Sequence, residues 1–345
     1  MNMKTRLFFI CGAAILCGFP AKSHAKKGHE PREPEVETTG EGPAVLWSDP
    51  NDIASRDLFY GPGGAAHQPH GRVTFVEEDL DGSNPKFVVR DEDGVKWKVK
   101  LGLEARPETA ASRLVWAAGY FANEDYFVPE LEVDRLPSHL HRGRKFVSAG
   151  GIVHNARLKR YLKGEKKIGS WAWDDEPFTE PRELNGLRLL MALINNWDLK
   201  DSNNSIYQEQ TPDGEPERVY VVSDLGASFG TPNLTWPLKR TRGNLGRYEH
   251  SKFLTAIRDD SVDTRTPARP SWFFWFEHPE YRLRLRLVHL GRDIPLADAR
   301  WLGELLSRLS PPQIRDAFRA AGYSPEEVER FAEVVEERIG ELREL

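Results

Sequence analysis

Trp197-Asp198-Leu199-Lys200-Asp201-Ser202-Asn203 follows an apolar helical pattern, and Asp224-Leu225-Gly226 closes the strand-like run Val219–Ser223 further along the chain. The first stretch places a carboxylate, a cation and an amide at the spacing Asp-x-Lys-x-x-Asn. The second adds another carboxylate at a strand end. Phosphoryl transfer calls for such a set: a carboxylate that orients the attacking hydroxyl and takes its proton, a cation near the transferred phosphate, and oxygen ligands for magnesium. Each group has a distinct role, which separates this pattern from a simple acidic cluster.

Working outward, Arg72–Val76, Phe87–Arg90 and Val95–Leu101 are strand-like, with Asp91-Glu92-Asp93-Gly94 as a tight turn between the last two. An antiparallel meander is expected. Pro107 suits a first helical turn, and Ala110, Ala111, Leu114, Val115 and Ala118 keep helical spacing up to Gly119. A strand over Tyr126–Val133, a basic stretch His139–Lys145 and a strand over Arg157–Leu162 follow, and Lys163–Phe178 reads as a loop. Leu184, Leu187, Met191 and Ile194 form the apolar face of the next helix, which gives way after Asn196 to the polar loop Trp197–Asn204. Ser310 with Gln313, and Ser324 with Glu327, are capping boxes with Pro at the first helical position. The order is a small β-rich region with one helix, then a larger, mainly helical region.

The chain has 345 residues, more than one compact core holds, so two domains or two lobes are expected. It is 39% hydrophobic and 29% charged, with a mean hydropathy of −0.57. A multi-span membrane protein, a collagen and a wholly disordered chain are excluded. The net charge of −5 argues against a general nucleic-acid binder. Lys4 and Arg6, the apolar run Leu7–Phe19 and the small residues of Ser23-His24-Ala25 form a secretory signal peptide. The run is shorter than the roughly 20 residues that span a bilayer. The chain is therefore expected in the periplasm or secreted, cleaved after Ala25, with no transmembrane segment in the mature part. Cys17 raises lipidation as an alternative, but no small residue precedes it. Cleavage removes Cys11 and Cys17, leaving no thiol, and so excludes disulfides, thiolate catalysis and Cys-ligated metals. Residues 26–56 read as a flexible tether and lead-in segment.

At these motifs the chain resembles the protein-kinase-like superfamily, as an exported bacterial-type member. The Asp198–Asn203 stretch resembles the kinase catalytic loop, and Asp224-Leu225-Gly226 resembles the metal-binding Asp-Phe-Gly motif with Leu for Phe. Lys96-Trp97-Lys98-Val99-Lys100-Leu101-Gly102 is similar to the strand carrying the nucleotide-binding lysine, and Glu108 matches its glutamate partner. Gly82-Ser83-Asn84-Pro85-Lys86-Phe87 resembles the phosphate-covering loop of HipA-type kinases, and the Lys100–Glu108 stretch is similar to phosphoinositide kinases. The resemblance implies an α+β, two-lobed protein-kinase-like fold: a small antiparallel β-rich N-lobe over 57–162 that binds nucleotide, and a mainly helical C-lobe over 163–345. It implies Asp198 as base, Lys200 as phosphate contact, and Asn203 and Asp224 as ligands of Mg2+ or Mn2+. It further implies Lys100, Glu108, Gly82, Ser83, Asn84 and Lys86 around ATP or another nucleotide, and a protein or small-molecule hydroxyl acceptor. Departures are the missing Gly-x-Gly-x-x-Gly loop, Asn196-Trp197 in place of His-Arg, the polar insert Gln208–Arg218 and the missing Ala-Pro-Glu segment.

Plainer readings stand beside these. Lys96, Lys98 and Lys100 alternate on one strand face and by default are solvated; the resemblance favours Lys100, then Lys98. Glu108 would also suit a helix N-terminus. Asp198 and Asn203 are common turn residues, and Asp224-Leu225-Gly226 alone is an ordinary strand end. His67 with His70, and His139 with His141, lack a third ligand and read as surface histidines. Trp171, Trp173, Trp197, Trp236, Trp272 and Trp275 read as packing in the larger lobe. No Gly-x-Ser-x-Gly pattern supports a hydrolase. Two other functions remain open: a catalytically inactive, pseudokinase-type binding module, and an envelope protein whose acidic loops hold divalent cations. Retention of Lys100, Asp198, Lys200, Asn203 and Asp224 together favours catalysis, since a scaffold needs no base.

Overall fold

Period-two alternation puts Trp97, Val99 and Leu101 on one face of their strand and Lys96, Lys98 and Lys100 on the other, and this split organises the first half of the chain. The structure, a computed structural model, describes residues 40–82, 84–162, 164–174, 177–178, 181–231, 241–265, 275 and 278–345. The expected signal peptide, Cys17, the first part of the tether and Ser83 lie outside these residues.

The described chain runs through β1 (Ala44–Val45), β2 (Val73–Asp79), β3 (Lys86–Arg90), β4 (Lys96–Leu101), α1 (Ala105–Ala117), β5 (Asp125–Asp134), β6 (Ile152–Arg160) and β7 (Lys166–Gly169). It continues through α2 (Pro181–Leu193), β8 (Asn204–Gln210), β9 (Pro216–Val222), α3 (Leu245–Glu249), β10 (Leu254–Ile257), β11 (Ser261–Thr264), α4 (His278–Arg286), β12 (Ile294–Pro295), α5 (Leu296–Leu306), α6 (Pro311–Ala320) and α7 (Pro325–Arg343). The fold is mixed α+β.

The expected meander is part of a larger object. β2, β3, β4, β6 and β5 form a closed barrel in that order, sealed by parallel pairing of β2 with β5 at Val73↔Val133. Closure removes the free edge of the sheet and gathers Val73, Phe87, Val89, Trp97, Val99, Leu101, Leu131 and Leu158 into one core. The buried indole of Trp97 donates to Asp91 Oδ2 at 2.7 Å, so the Asp91–Gly94 turn satisfies the core's polar atom. Lys98 and Lys100 consequently point away from the barrel core.

A second, larger core joins α1 and α2 to α5, α6 and α7. Leu46, Ile53 and Leu58 belong to it, and β1 pairs in parallel with β9 at Ala44↔Arg218, so the described part of the lead-in segment is packed. α1 starts at Ala105, which puts Pro107 in its first turn. Gly119 follows it at φ +88°, where a Cβ would meet Ser48 O at 2.4 Å, so glycine is required where these two segments touch. Within the stretch expected as a loop, Lys166–Gly169 instead pairs antiparallel with β8, because that hairpin offers it a free edge. β1, β9, β8 and β7 thus make a four-stranded sheet, and β10, β11 and β12 a small third one.

Both expected capping boxes are present at Ser310 and Ser324. Trp171, Trp173 and Trp197 are buried, whereas Trp275 is 63% exposed and does not pack the core as expected. Trp236 and Trp272 lie outside the described residues. Among the described residues no helix is long and apolar enough to cross a membrane.

Candidate active site

β4 delivers Lys100 to the outside of the barrel, and the turn after it starts α1, so Glu104 and Glu108 follow one helical turn apart on the same face. Lys100 Nζ lies 2.8 Å from Glu108 Oε2, 3.1 Å from Asp224 Oδ1 and 3.3 Å from Glu104 Oε2. Arg157 is the Lys100 partner in the β4–β6 register. Its guanidinium bonds Glu108 Oε1 and sits 3.3 Å from Asp125 Oδ1. A buried lysine thus meets three carboxylates, one of which is shared with a buried arginine.

The loop carrying Asp198 and the Asp224 motif meet because of the β8–β9 hairpin. Its register pairs Asn204 with Val222, so residues before β8 and after β9 leave the sheet at the same end. Asn203 O accepts from Ser223 N at 2.8 Å and from Asp224 N at 3.2 Å, while Asn203 Nδ2 donates to Asp198 O at 2.6 Å. Asn196 Oδ1 accepts from Asp198 N at 3.2 Å, and its Nδ2 donates to Asp224 O at 3.5 Å. The polar insert is the far end of this hairpin, away from the site. Asp198 Oδ1 accepts from Arg284 Nη2 at 2.8 Å and lies 3.4 Å from Lys200 Nζ.

Other expected site residues are placed differently. Lys98 and Lys86 both turn to Asp79, at 3.0 and 3.6 Å, so of the alternating lysines it is Lys100 that reaches Glu108. Gly82 has φ +60° and its carbonyl accepts from Arg142. From that turn it is Asn84 that reaches the site, with Nδ2 2.5 Å from Glu104 Oε2. His67, His70 and His141 each face a carboxylate: Glu124, Asp93 and Glu78 respectively.

Sequence reasoning missed Glu104, Asp125, Arg157, Arg242 and Arg284. Glu104 was detectable, since it stands four residues from both Lys100 and Glu108. The arginines carried no local signal. Arg242 and Arg284 stack against the Trp197 indole at 4.9 and 4.8 Å. Arg242 Nε reaches Glu104 Oε1 at 2.7 Å, and Arg284 holds Asp198.

Charge and burial set the protonation of the cluster. Burial works against the Lys100 ammonium, but Asp224, Glu108 and Glu104 outweigh it and hold its pKa above the ordinary value. Burial also opposes ionisation of Asp224; Lys100 and the Gly226 N–H overcome it and bring the group down to about 2. Glu108 goes the other way, pushed up to about 7 by burial against the pull of Arg157 and Lys100.

The donor chemistry fits a hard divalent cation. Asn203 and Asp224 are joined through their backbones, and Glu104, Glu108 and Asp224 each present an oxygen within 4.8 Å of the others. The Asp224 side chain remains 36% exposed, open to a ligand.

The sequence matches no protein-family model and none of the curated proteins. Among solved structures, the chain is similar to the Helicobacter pylori proinflammatory kinase CtkA, at 12% identity and TM-score 0.44, over 80% of this chain and 98% of that one. It is also similar to the Golgi casein kinase, in one structure with Mn/ADP bound, at 12% identity and TM-score 0.33, over 84% and 78% of the two chains.

Proposed function

We propose that this chain is a kinase-type phosphotransferase with a two-lobed, protein-kinase-like fold, moving a nucleotide phosphate to a hydroxyl acceptor. The observation that carries the reading is the convergence of Lys100, Glu108 and Asp224 from three separate elements, with Asn203 bonded to the backbones of both Asp198 and Asp224. Mg2+ or Mn2+, held by Asn203 and Asp224, would neutralise phosphate charge when bound. Lys100 would bind the donor's phosphates, kept in position by Glu108. Asp198, oriented by Arg284 and Lys200, would take the acceptor's proton as the phosphoryl group moves to that oxygen and the nucleoside diphosphate leaves. Export by residues 1–25, to the periplasm or beyond, belongs to the same proposal.

Two variants of the purified protein test it. Asp224→Ala should abolish both magnesium-dependent nucleotide binding and turnover. Asp198→Ala should leave binding intact while turnover falls about 10²–10⁴-fold, the usual loss for a positioned base. Wild-type binding without turnover of any donor would replace the enzyme with a pseudokinase-type binding module. No nucleotide binding at all would reject both.

A further inference from the structure

Glu104 is held more elaborately than a helix-start carboxylate requires. Its Oε2 accepts from Asn84 Nδ2 at 2.5 Å and from Lys100 Nζ at 3.3 Å, while Oε1 is ion-paired with Arg242, whose Nε lies 2.7 Å away. These three partners come from the turn before β3, from β4, and from the segment following the Asp224 motif. Donors arriving from separate elements onto one anion are how proteins bind a phosphate. Here the anion is the chain's own.

We propose that Glu104 is a resident plug of the phosphate site, displaced when a nucleotide's phosphates take over Asn84, Lys100 and Arg242. The proposal rests on the kinase reading and adds Arg242 to the nucleotide-binding groups.

Three features single out Glu104 among the carboxylates as the one that leaves. Glu108 is fixed between Lys100 and Arg157 and only 1% exposed. Asp224 is tied to Lys100 and to the Gly226 N–H, at 3.1 Å each. The side-chain partners of Glu104, by contrast, are an amide and two cations that phosphate oxygens satisfy equally well. Its backbone carbonyl accepts from Glu108 N at 3.0 Å, so side-chain rotation alone vacates the site and α1 stays intact. Gly226 makes the slot: a Cβ there would come 2.7 Å from Glu104 Cβ and 2.8 Å from Oε2. Electrostatics points the same way. A polyphosphate entering beside Glu104, Glu108 and Asp224 adds negative charge to a site already rich in it, and losing one carboxylate relieves that.

A plug lowers apparent affinity by the fraction of protein that is open, so a carboxylate in place about 90% of the time weakens binding about tenfold. Titration of the full-length protein with ATP, in magnesium and in EDTA, reads this directly. Glu104→Gln keeps the shape but removes the charge, and should bind ATP about tenfold more tightly than wild type. Adding Arg242→Ala should cancel that gain. Should Glu104→Gln not fold, Glu104→Asp withdraws the carboxylate and carries the same expectation. Unchanged or weaker binding, with Lys100→Ala still abolishing the wild-type signal, would overturn the plug and leave the kinase reading standing; weaker binding in magnesium alone would make Glu104 a metal ligand instead. Failure of wild type and Glu104→Gln alike to bind ATP would overturn both. Binding by Glu104→Gln alone would support the plug most strongly.

Discussion

Lys100 and Arg338 are both buried cations, and their surroundings differ in kind. Arg338 on α7 donates to Leu193 O, Asn195 Oδ1, Tyr248 O, Ser251 O and Ser251 Oγ at 2.6–3.3 Å, and lies over the Tyr248 ring at 4.1 Å. These partners are neutral, and three of them are main-chain oxygens that cannot leave without unfolding α2 and the α3 region. Lys100 is met by three carboxylates, all side chains. Neutral acceptors that fill a cation's donors make a fastener. An excess of movable anions leaves charge for something else to balance, which is a property of a binding site.

The largest expected effect tests the fastener. Arg338→Ala strands several buried acceptors and should cost about 3–5 kcal/mol of stability, the upper range for one substitution. Arg338→Lys, with fewer donors in a different geometry, should recover only part of it. Lys100→Ala should abolish nucleotide binding yet destabilise less, because Glu104 and Glu108 keep Arg242 and Arg157. A chemical denaturation series that ranks Lys100→Ala as the more destabilising would break the comparison.

A second, smaller effect concerns pH. Glu108 is raised to about 7 by burial, so the folded state binds its proton more readily than the unfolded chain, where a glutamic acid titrates near 4.3. Its contribution is therefore full below about pH 4.3 and is lost as pH rises through 7. Between pH 5 and 8 the wild-type unfolding midpoint should fall relative to Glu108→Gln, by about 1–3 kcal/mol in stability. Parallel curves for the two proteins would show that Arg157 and Lys100 fully offset the burial.

Much of the site was legible because its residues sit in local patterns. Asp198, Lys200 and Asn203 share one loop, and the polar insert Gln208–Arg218 with the strand Val219–Ser223 pointed to the hairpin that brings Asp224 beside them. Lys100 with Glu108 followed from a strand–helix junction. Barrel closure was not legible, since the β2–β5 pairing joins segments whose alternation says nothing of their partners. Nor were Arg157, Arg242 and Arg284: an arginine looks solvated in sequence, and only the fold reveals which ones pack against carboxylates. Lys86 and Lys98 depend on the fold in the same way. Period two puts them on the right face, but Asp79 on β2, invisible in their local sequence, captures both.

The smallest effect sharpens the comparison at the surface. Arg258 on the β10–β11 turn makes a two-pronged pair with Asp263, at 2.8 and 2.6 Å, with 47% of its side chain exposed. This is the geometry of a strong ion pair without the burial. The hydrogen bond from Arg258, helped by the Asp293 N–H and opposed by slight burial, brings Asp263 down to about 2. A depressed carboxylate contributes stability that is present above its unfolded value near 3.9 and is lost as pH falls through 2. Arg258→Ala should therefore lower the unfolding midpoint at pH 7 only slightly, because solvent screens an exposed pair, and that small loss should fade as pH falls. Its acid limb, between pH 4 and 2, should be flatter than that of wild type. A loss at pH 7 comparable to that of Arg338→Ala would mean that pair geometry outweighs burial, and the contrast between fastener and binding site would need another cause.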